Sequence, residues 1–157
     1  MIKVGDKLPK VNVTSILNDE TSNSDTETLF TNKKVVLFAV PGAFTPTCSR
    51  QHLPGYVTHI ESFKEKGIDS VMCLSVNDAF VMSAWALDQN AESIMMIADG
   101  GASFTKALGL DKDTGDFGGT RAQRFAMVVD NGEVTYLAVE PPKEFNTSSA
   151  EHVLSTL

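Results

Sequence analysis

The chain has 157 residues, a formal net charge of −7, and ordinary apolar (42%) and charged (21%) fractions. That length suits one domain with a real core, and the acidic balance argues against nucleic acid or an anionic membrane as the main partner. No apolar run is long enough to cross a bilayer, and two cysteines, Cys48 and Cys73, are too few for a disulfide scaffold.

Residues 1–157 read as a single domain without repeat, linker or low-complexity tract. Residues 18–28 are polar and read as a surface loop. Residues 35–40, Val-Val-Leu-Phe-Ala-Val, are a continuous apolar run and predict a fully buried strand. From Cys48 onward an amphipathic run places Leu53, Tyr56, Val57, Ile60 and Phe63 on one helical face. Pro54 and Gly55 interrupt it, so a kink is expected there. Lys64-Glu65-Lys66-Gly67 is a helix stop with basic residues near the end. A second buried strand follows over 71–76, a helix over 78–88, a third strand over 94–98, and a short helix over 102–108 closed by Gly109. Residues 111–120 are rich in Gly and Asp and read as a loop. Strands over 125–129 and 133–139 flank Asp130-Asn131-Gly132, a hairpin signal. Ser148 and Glu151 have capping-box spacing and open a last helix ending at Leu157.

Alternating strands and helices imply a mixed central sheet flanked by helices. With a terminal hairpin and helix, and a cysteine at a strand–helix junction, this is an α/β thioredoxin-like arrangement. There is no Cys-x-x-Cys pair, so the chain does not read as a dithiol–disulfide exchanger.

Cys48 follows Pro41-Gly42-Ala43-Phe44-Thr45-Pro46-Thr47 and opens the amphipathic run. Free N–H groups and the positive end of the helix dipole favour a thiolate there. Each residue also has a plainer role. A cysteine at a helix start is often just a small buried hydrophobe. Pro41 and Pro46 shape a loop and start a helix, and Thr45 or Thr47 serves as N-cap. Arg124 opens a strand, where arginines are usually solvated, and Arg121 competes with it for any anion-holding role. His52 lies four residues after Cys48 and shares its helix face. A Cys–His acyltransferase or hydrolase therefore stays open, as does a non-catalytic thioredoxin-like binding module. The histidines and cysteines lack ligand spacing, so no metal site is expected.

The segment Val-Pro-Gly-Ala-Phe-Thr-Pro-Thr-Cys-Ser, residues 40–49, resembles the active-site segment of peroxiredoxins. It is most similar to the peroxiredoxin-5 group, which includes the plant type II enzymes. His52-Leu53-Pro54-Gly55, Cys73-Leu74-Ser75-Val76-Asn77-Asp78-Ala79-Phe80-Val81 and Arg124-Phe125-Ala126-Met127-Val128-Val129-Asp130 extend the likeness over nearly the whole chain. The resemblance implies a thiol peroxidase for hydrogen peroxide and alkyl hydroperoxides, without cofactor. By position Cys48 matches the peroxidatic cysteine, which becomes a sulfenic acid. Thr45 matches the threonine that hydrogen-bonds thiolate and peroxide. Pro41 matches the proline that shields the sulfur. Arg124 matches the arginine that holds sulfur and substrate oxygens, with Arg121 and His52 as supporting neighbours.

Cys73 sits mid-strand and reads as a structural thiol. Plant type II relatives carry a cysteine at the matching position, so a resolving role stays open. Animal relatives place a resolving cysteine near the C-terminus, where this chain has Phe145-Asn146-Thr147-Ser148-Ser149. Recycling by an external thiol is therefore expected, from glutathione with glutaredoxin or from thioredoxin. The resemblance also implies a homodimer, with Phe44 and Phe80 either contacting the partner or buried in the core. The start of the chain lacks the apolar segment of a secretory signal. If the chain is complete, it works in the cytoplasm or an equivalent reducing compartment.

Overall fold

The computed structural model describes all residues, Met1–Leu157. Its strands form a seven-stranded sheet in the order β2-β1-β5-β4-β3-β8-β9. These are β1 (Asn12–Leu17), β2 (Glu20–Asp25), β3 (Lys34–Ala39), β4 (Ser70–Ser75), β5 (Met95–Ala98), β8 (Phe125–Asp130) and β9 (Glu133–Val139). The pairs β3–β4 and β4–β5 are parallel. The other pairs are antiparallel, so the sheet is mixed as the sequence implies.

The period of two in β3 sorts the core. Val36 and Phe38 point to one face, where they pack with Cys48, Tyr56, Phe63, Trp85 and Val153. Val35, Leu37 and Ala39 point to the other, against Phe30, Phe104 and Leu108. The first face is covered by α2 (Leu53–Thr58), α3 (Ile60–Glu65), α4 (Ala79–Asp88) and α6 (Ala150–Ser155); the second carries α1 (Thr26–Phe30) and α5 (Ser103–Leu108). Because Cys73 pairs with Phe38 across β3–β4, it faces the same side as Cys48.

Four expectations are corrected. The stretch 18–28 is not a loop: Asn18 and Asp19 turn a tight hairpin, with Leu17 opposite Glu20, and α1 follows β2. Residues 111–120 form a two-stranded ribbon of β6 (Asp111–Asp113) and β7 (Thr120–Ala122) around a single 3₁₀ turn. The last helix is capped by Ser149, whose side chain accepts from His152 N–H; Ser148 is buried and used elsewhere.

The fourth correction concerns the helix after β3. It does not kink at Pro54-Gly55. Instead a π-helical turn spans Cys48–His52, Pro54 lies in the first turn of α2, and the break comes at His59. Proline explains the shift. In a regular α-helix its ring would meet the carbonyl of Arg50, which would also lose its donor. The wider turn, closed by Leu53 N–H to Cys48 C=O, relieves both problems.

Candidate active site

Helical backbone begins at Pro46, the favoured residue for that place, and Cys48 lies in the first turn. Thr45 gives the run its first acceptor, from Ser49 N–H at 2.9 Å. Its hydroxyl donates back to Gly42 C=O at 2.7 Å rather than capping the helix. Both hydroxyl lone pairs therefore remain able to accept a further donor. The loop is pinned from below by Asn77, whose side-chain oxygen accepts Ala43 N–H at 3.0 Å and the Ser75 hydroxyl at 2.6 Å.

Cys48 is fully buried, and its only side-chain partner is Arg124, whose Nη2 donates to Sγ at 3.2 Å. Arg124 reaches it from the start of β8, across the sheet face. Its Nη1 donates to His52 Nδ1 at 2.8 Å. A guanidinium has no acceptor, so Nδ1 must be the unprotonated ring nitrogen and Nε2 carries the hydrogen. That hydrogen goes to Ser148 C=O at 3.0 Å. Burial, helped by the adjacent Arg124 charge, brings the His52 pKa down to about 3. His52 is thus a neutral, fixed acceptor for the arginine.

Ser148 is held in turn by Glu140. Oε2 accepts from Ser148 Oγ at 2.7 Å, Ser148 N at 3.0 Å and Asn146 N at 2.6 Å. Burial alone would raise the carboxyl pKa, but these donors outweigh it and hold the group below its usual range. Tyr56 adds its hydroxyl to Ser148 C=O at 2.8 Å while stacking on Phe38 at 3.9 Å. Phe145 closes the array, with its ring edge-on to His52 at 5.0 Å and 5.9 Å from the Arg124 guanidinium carbon.

The structure therefore brings Cys48, Arg124 and His52 together and places Pro41 and Thr47 with Arg124 on a surface cleft of about 350 Å³. Arg121 does not join them. It donates to Gly118 C=O at 3.0 Å and Val76 C=O at 3.3 Å, bracing the loops beside Gly42. Cys73 is buried in mid-strand; burial pushes its thiol up, and the nearby Cys48 adds to this. Glu140, Ser148 and Phe145 carry no local signature in the sequence. Only the return of the chain after β9 brings them to the arginine.

A cysteine at a strand–helix junction, hydrogen-bonded to a part-buried arginine on a thioredoxin-type sheet, defines a thiol enzyme of the thioredoxin fold. The Redoxin family model matches residues 3–154. Peroxiredoxin-2D of Arabidopsis thaliana is 45% identical, over 99% of this chain and 98% of its own length. The crystal structure of reduced Prx3 in complex with hydrogen peroxide from Vibrio vulnificus superposes with a TM-score of 0.95 at 54% identity, covering 99% and 96% of the two chains. Peroxiredoxin 5 from Alvinella pompejana gives 0.86 at 34% identity, covering 99% and 97%. The chain belongs to the peroxiredoxin family and is a thiol-dependent peroxidase.

Proposed function

We propose that Cys48 is the atom-transferring centre of this peroxidase, acting on hydrogen peroxide and small organic hydroperoxides. The observation that carries the assignment is the Arg124 guanidinium donating to Cys48 Sγ while His52 holds its other nitrogen. Sγ attacks the terminal peroxide oxygen and the O–O bond breaks. The sulfur leaves as sulfenic acid, and the departing oxygen takes a proton to become water or an alcohol. Charge moves from sulfur to the leaving oxygen, and a fixed cation beside both lowers the barrier. Thr45 is suited to accept the peroxide proton, and Pro41 walls the cleft without offering a donor.

A Cys–His hydrolase needs an imidazole free to take the thiol proton. Here both ring nitrogens are committed, to Arg124 and to Ser148. Recycling proceeds through an external thiol, glutathione with glutaredoxin or thioredoxin, because Cys73 is sealed in the sheet. Two free, buried cysteines suit a reducing compartment such as the cytoplasm. Phe44 and Phe80 are 53% and 87% exposed, not core residues, and support a homodimer interface. Peroxide consumption by Cys48→Ser tests the central claim: turnover should vanish. Turnover at the original rate would remove Cys48 from the mechanism.

A further inference from the structure

The peptide unit joining Gly42 to Ala43 is gripped from both sides. Its carbonyl, Gly42 C=O, accepts the Thr45 hydroxyl at 2.7 Å. Its N–H, on Ala43, donates to Asn77 Oδ1 at 3.0 Å. A carbonyl can only accept, so the one hydrogen of the Thr45 hydroxyl is spent on Gly42 and both lone pairs are left for other donors. The polarity of that hydroxyl is thus decided by the tilt of one peptide plane, and Asn77 holds the plane by its opposite edge. Donation by the N–H also polarises the amide and makes its carbonyl a better acceptor.

Asn77 is itself anchored. Oδ1 also accepts the Ser75 hydroxyl at 2.6 Å, and Ser75 is wholly buried with no other partner for that hydroxyl. Ser75 C=O accepts Asp99 N–H at 3.0 Å, which ties the anchor into the sheet at the ends of β4 and β5. Thr45 is seated closely on the gripped peptide, because a Cβ added at Gly42 would lie 3.2 Å from Thr45 Cγ2. The backbone between the two grips is strained. Phe44 sits at φ +64°, a region that bulky side chains rarely adopt. Such a residue persists only where its surroundings over-determine it.

We propose that Asn77 is a positioning residue for the peroxide step: through the Gly42–Ala43 peptide it keeps the Thr45 hydroxyl an acceptor for the peroxide O–H. The proposal rests on Cys48 and Thr45 acting as described above. Sγ attacks the oxygen that carries this hydrogen. The S–O bond forms and the O–O bond breaks. The attacked oxygen keeps its hydrogen and becomes the hydroxyl of the sulfenic acid. The other oxygen leaves with the electron pair and takes a proton from solvent, giving water or an alcohol. Thr45 gains no proton; it aligns the O–H along the line of attack. A Thr45 hydrogen turned toward the peroxide would meet another hydrogen there. With Asn77 removed, the strained turn relaxes, the Gly42 carbonyl tilts away and that misdirection becomes open.

The test is a double-mutant cycle on single-turnover oxidation of Cys48 by hydrogen peroxide, followed by stopped-flow tryptophan emission. Alkylation of reduced Cys48 by iodoacetamide across pH runs beside it and reads the thiolate alone. Thr45→Val should slow oxidation about tenfold or more. Asn77→Ala should slow it about 5- to 30-fold, the effect of one misdirected hydrogen bond. Asn77→Asp keeps an acceptor at Oδ1 and should stay within about threefold of the parent. Ser75→Ala leaves Asn77 present but unanchored and should slow oxidation about two- to fivefold. In the Thr45→Val background, Asn77→Ala should change the rate by less than about twofold, because its route to the peroxide is gone. The alkylation profile of Asn77→Ala should overlay the parent's, since the side-chain partner of Sγ is Arg124 and not Thr45. Parent-like oxidation in both Asn77→Ala and Ser75→Ala, with Thr45→Val slow, overturns the positioning role and leaves the peroxidase reading intact. Equal losses from Asn77→Ala with and without Thr45, or a matching shift of the alkylation profile, overturn it as well. Parent-like oxidation in Thr45→Val removes Thr45 from the step and this inference with it.

Discussion

Replacing His52 with leucine tests whether the arginine is active only because it is held. The ring lies among Phe38, Tyr56 and Phe145, with centroids 4.9, 5.7 and 5.0 Å away, so leucine keeps most of the packing. What is deleted is two hydrogen bonds. Ser148 C=O keeps Tyr56 as donor, so its loss is small, about 1 kcal/mol. Arg124 Nη1 loses its only acceptor, a charge-assisted contact in a part-buried place, and that costs about 2 kcal/mol. The sum, about 3 kcal/mol, should lower the melting temperature by about 6–12 °C for a chain of this size. A guanidinium free to swing should slow oxidation of Cys48 by about 10- to 100-fold, less than removing the donor altogether. The chain's only tryptophan supplies the assay, because Trp85 Nε1 donates to Ser49 Oγ at 3.0 Å, one residue from Cys48. Stopped-flow emission after mixing with peroxide follows a single turnover. His52→Asn returns an acceptor to the Nδ1 position and should recover much of the rate. Equal rates in His52→Leu and the parent, or equal losses in the leucine and asparagine variants, would refute the positioning argument.

Three further outcomes follow. His52 is buried neutral with a pKa of about 3, against 6.5 in an unfolded chain, so the unfolded state binds more protons between those values. Stability should fall on acidification below about pH 6.5, by up to roughly 1.4 kcal/mol per pH unit. Glu140 acts in the same direction, and acid unfolding followed by circular dichroism should show a shallower limb in His52→Asn and in Glu140→Gln. After one equivalent of peroxide without added thiol, mass spectrometry should find sulfenic or over-oxidised Cys48 and no Cys48–Cys73 disulfide. Cys73→Ser should leave the first oxidation intact, and a dominant intramolecular disulfide would make Cys73 the resolving thiol. Sedimentation at low micromolar concentration should give a dimer that Phe80→Glu weakens; a clean monomer in the parent would remove that claim.

How much of this was legible depends on whether the signal was local. The buried strands announce themselves because apolar runs cannot sit elsewhere, and Asn131-Gly132 fixes a two-residue hairpin with φ of +49° and +81°. The first hairpin leaves no mark in the apolar pattern because β2, Glu-Thr-Ser-Asn-Ser-Asp, lies at the sheet edge and buries nothing that would pattern it. Its turn was still readable. Asn18 and Asp19 both adopt positive φ, which their short polar side chains tolerate better than most residues. Cys48, Thr45 and Pro41 fall in one ten-residue segment, whereas Arg124 is separable from Arg121 only by geometry. The two lie three residues apart, but Arg121 belongs to β7 whereas Arg124 directly precedes β8. The sheet aims Arg124 at Cys48 and leaves Arg121 on the carbonyls of Val76 and Gly118.

The same geometry explains why the two cysteines, both wholly buried on one face of the sheet, are not equivalent. Burial disfavours a thiolate wherever it occurs, so burial alone would make both inert. Cys73 has burial as its main influence and no hydrogen-bond donor to its sulfur: it lies mid-strand, with its backbone locked between β3 and β5. Cys48 is given a part-buried cation, and that cation is given a neutral acceptor that cannot compete for a proton. The wide turn forced by Pro54 sits under this arrangement. It carries Cys48 at one end and His52 at the other, so one guanidinium spans both side chains. The energy of holding that charge in place comes from the loop beyond β9, through Ser148 and Glu140. Reactivity at residue 48 is therefore set from the far end of the chain, and changes in residues 140–148 should alter the sulfur's chemistry without touching it.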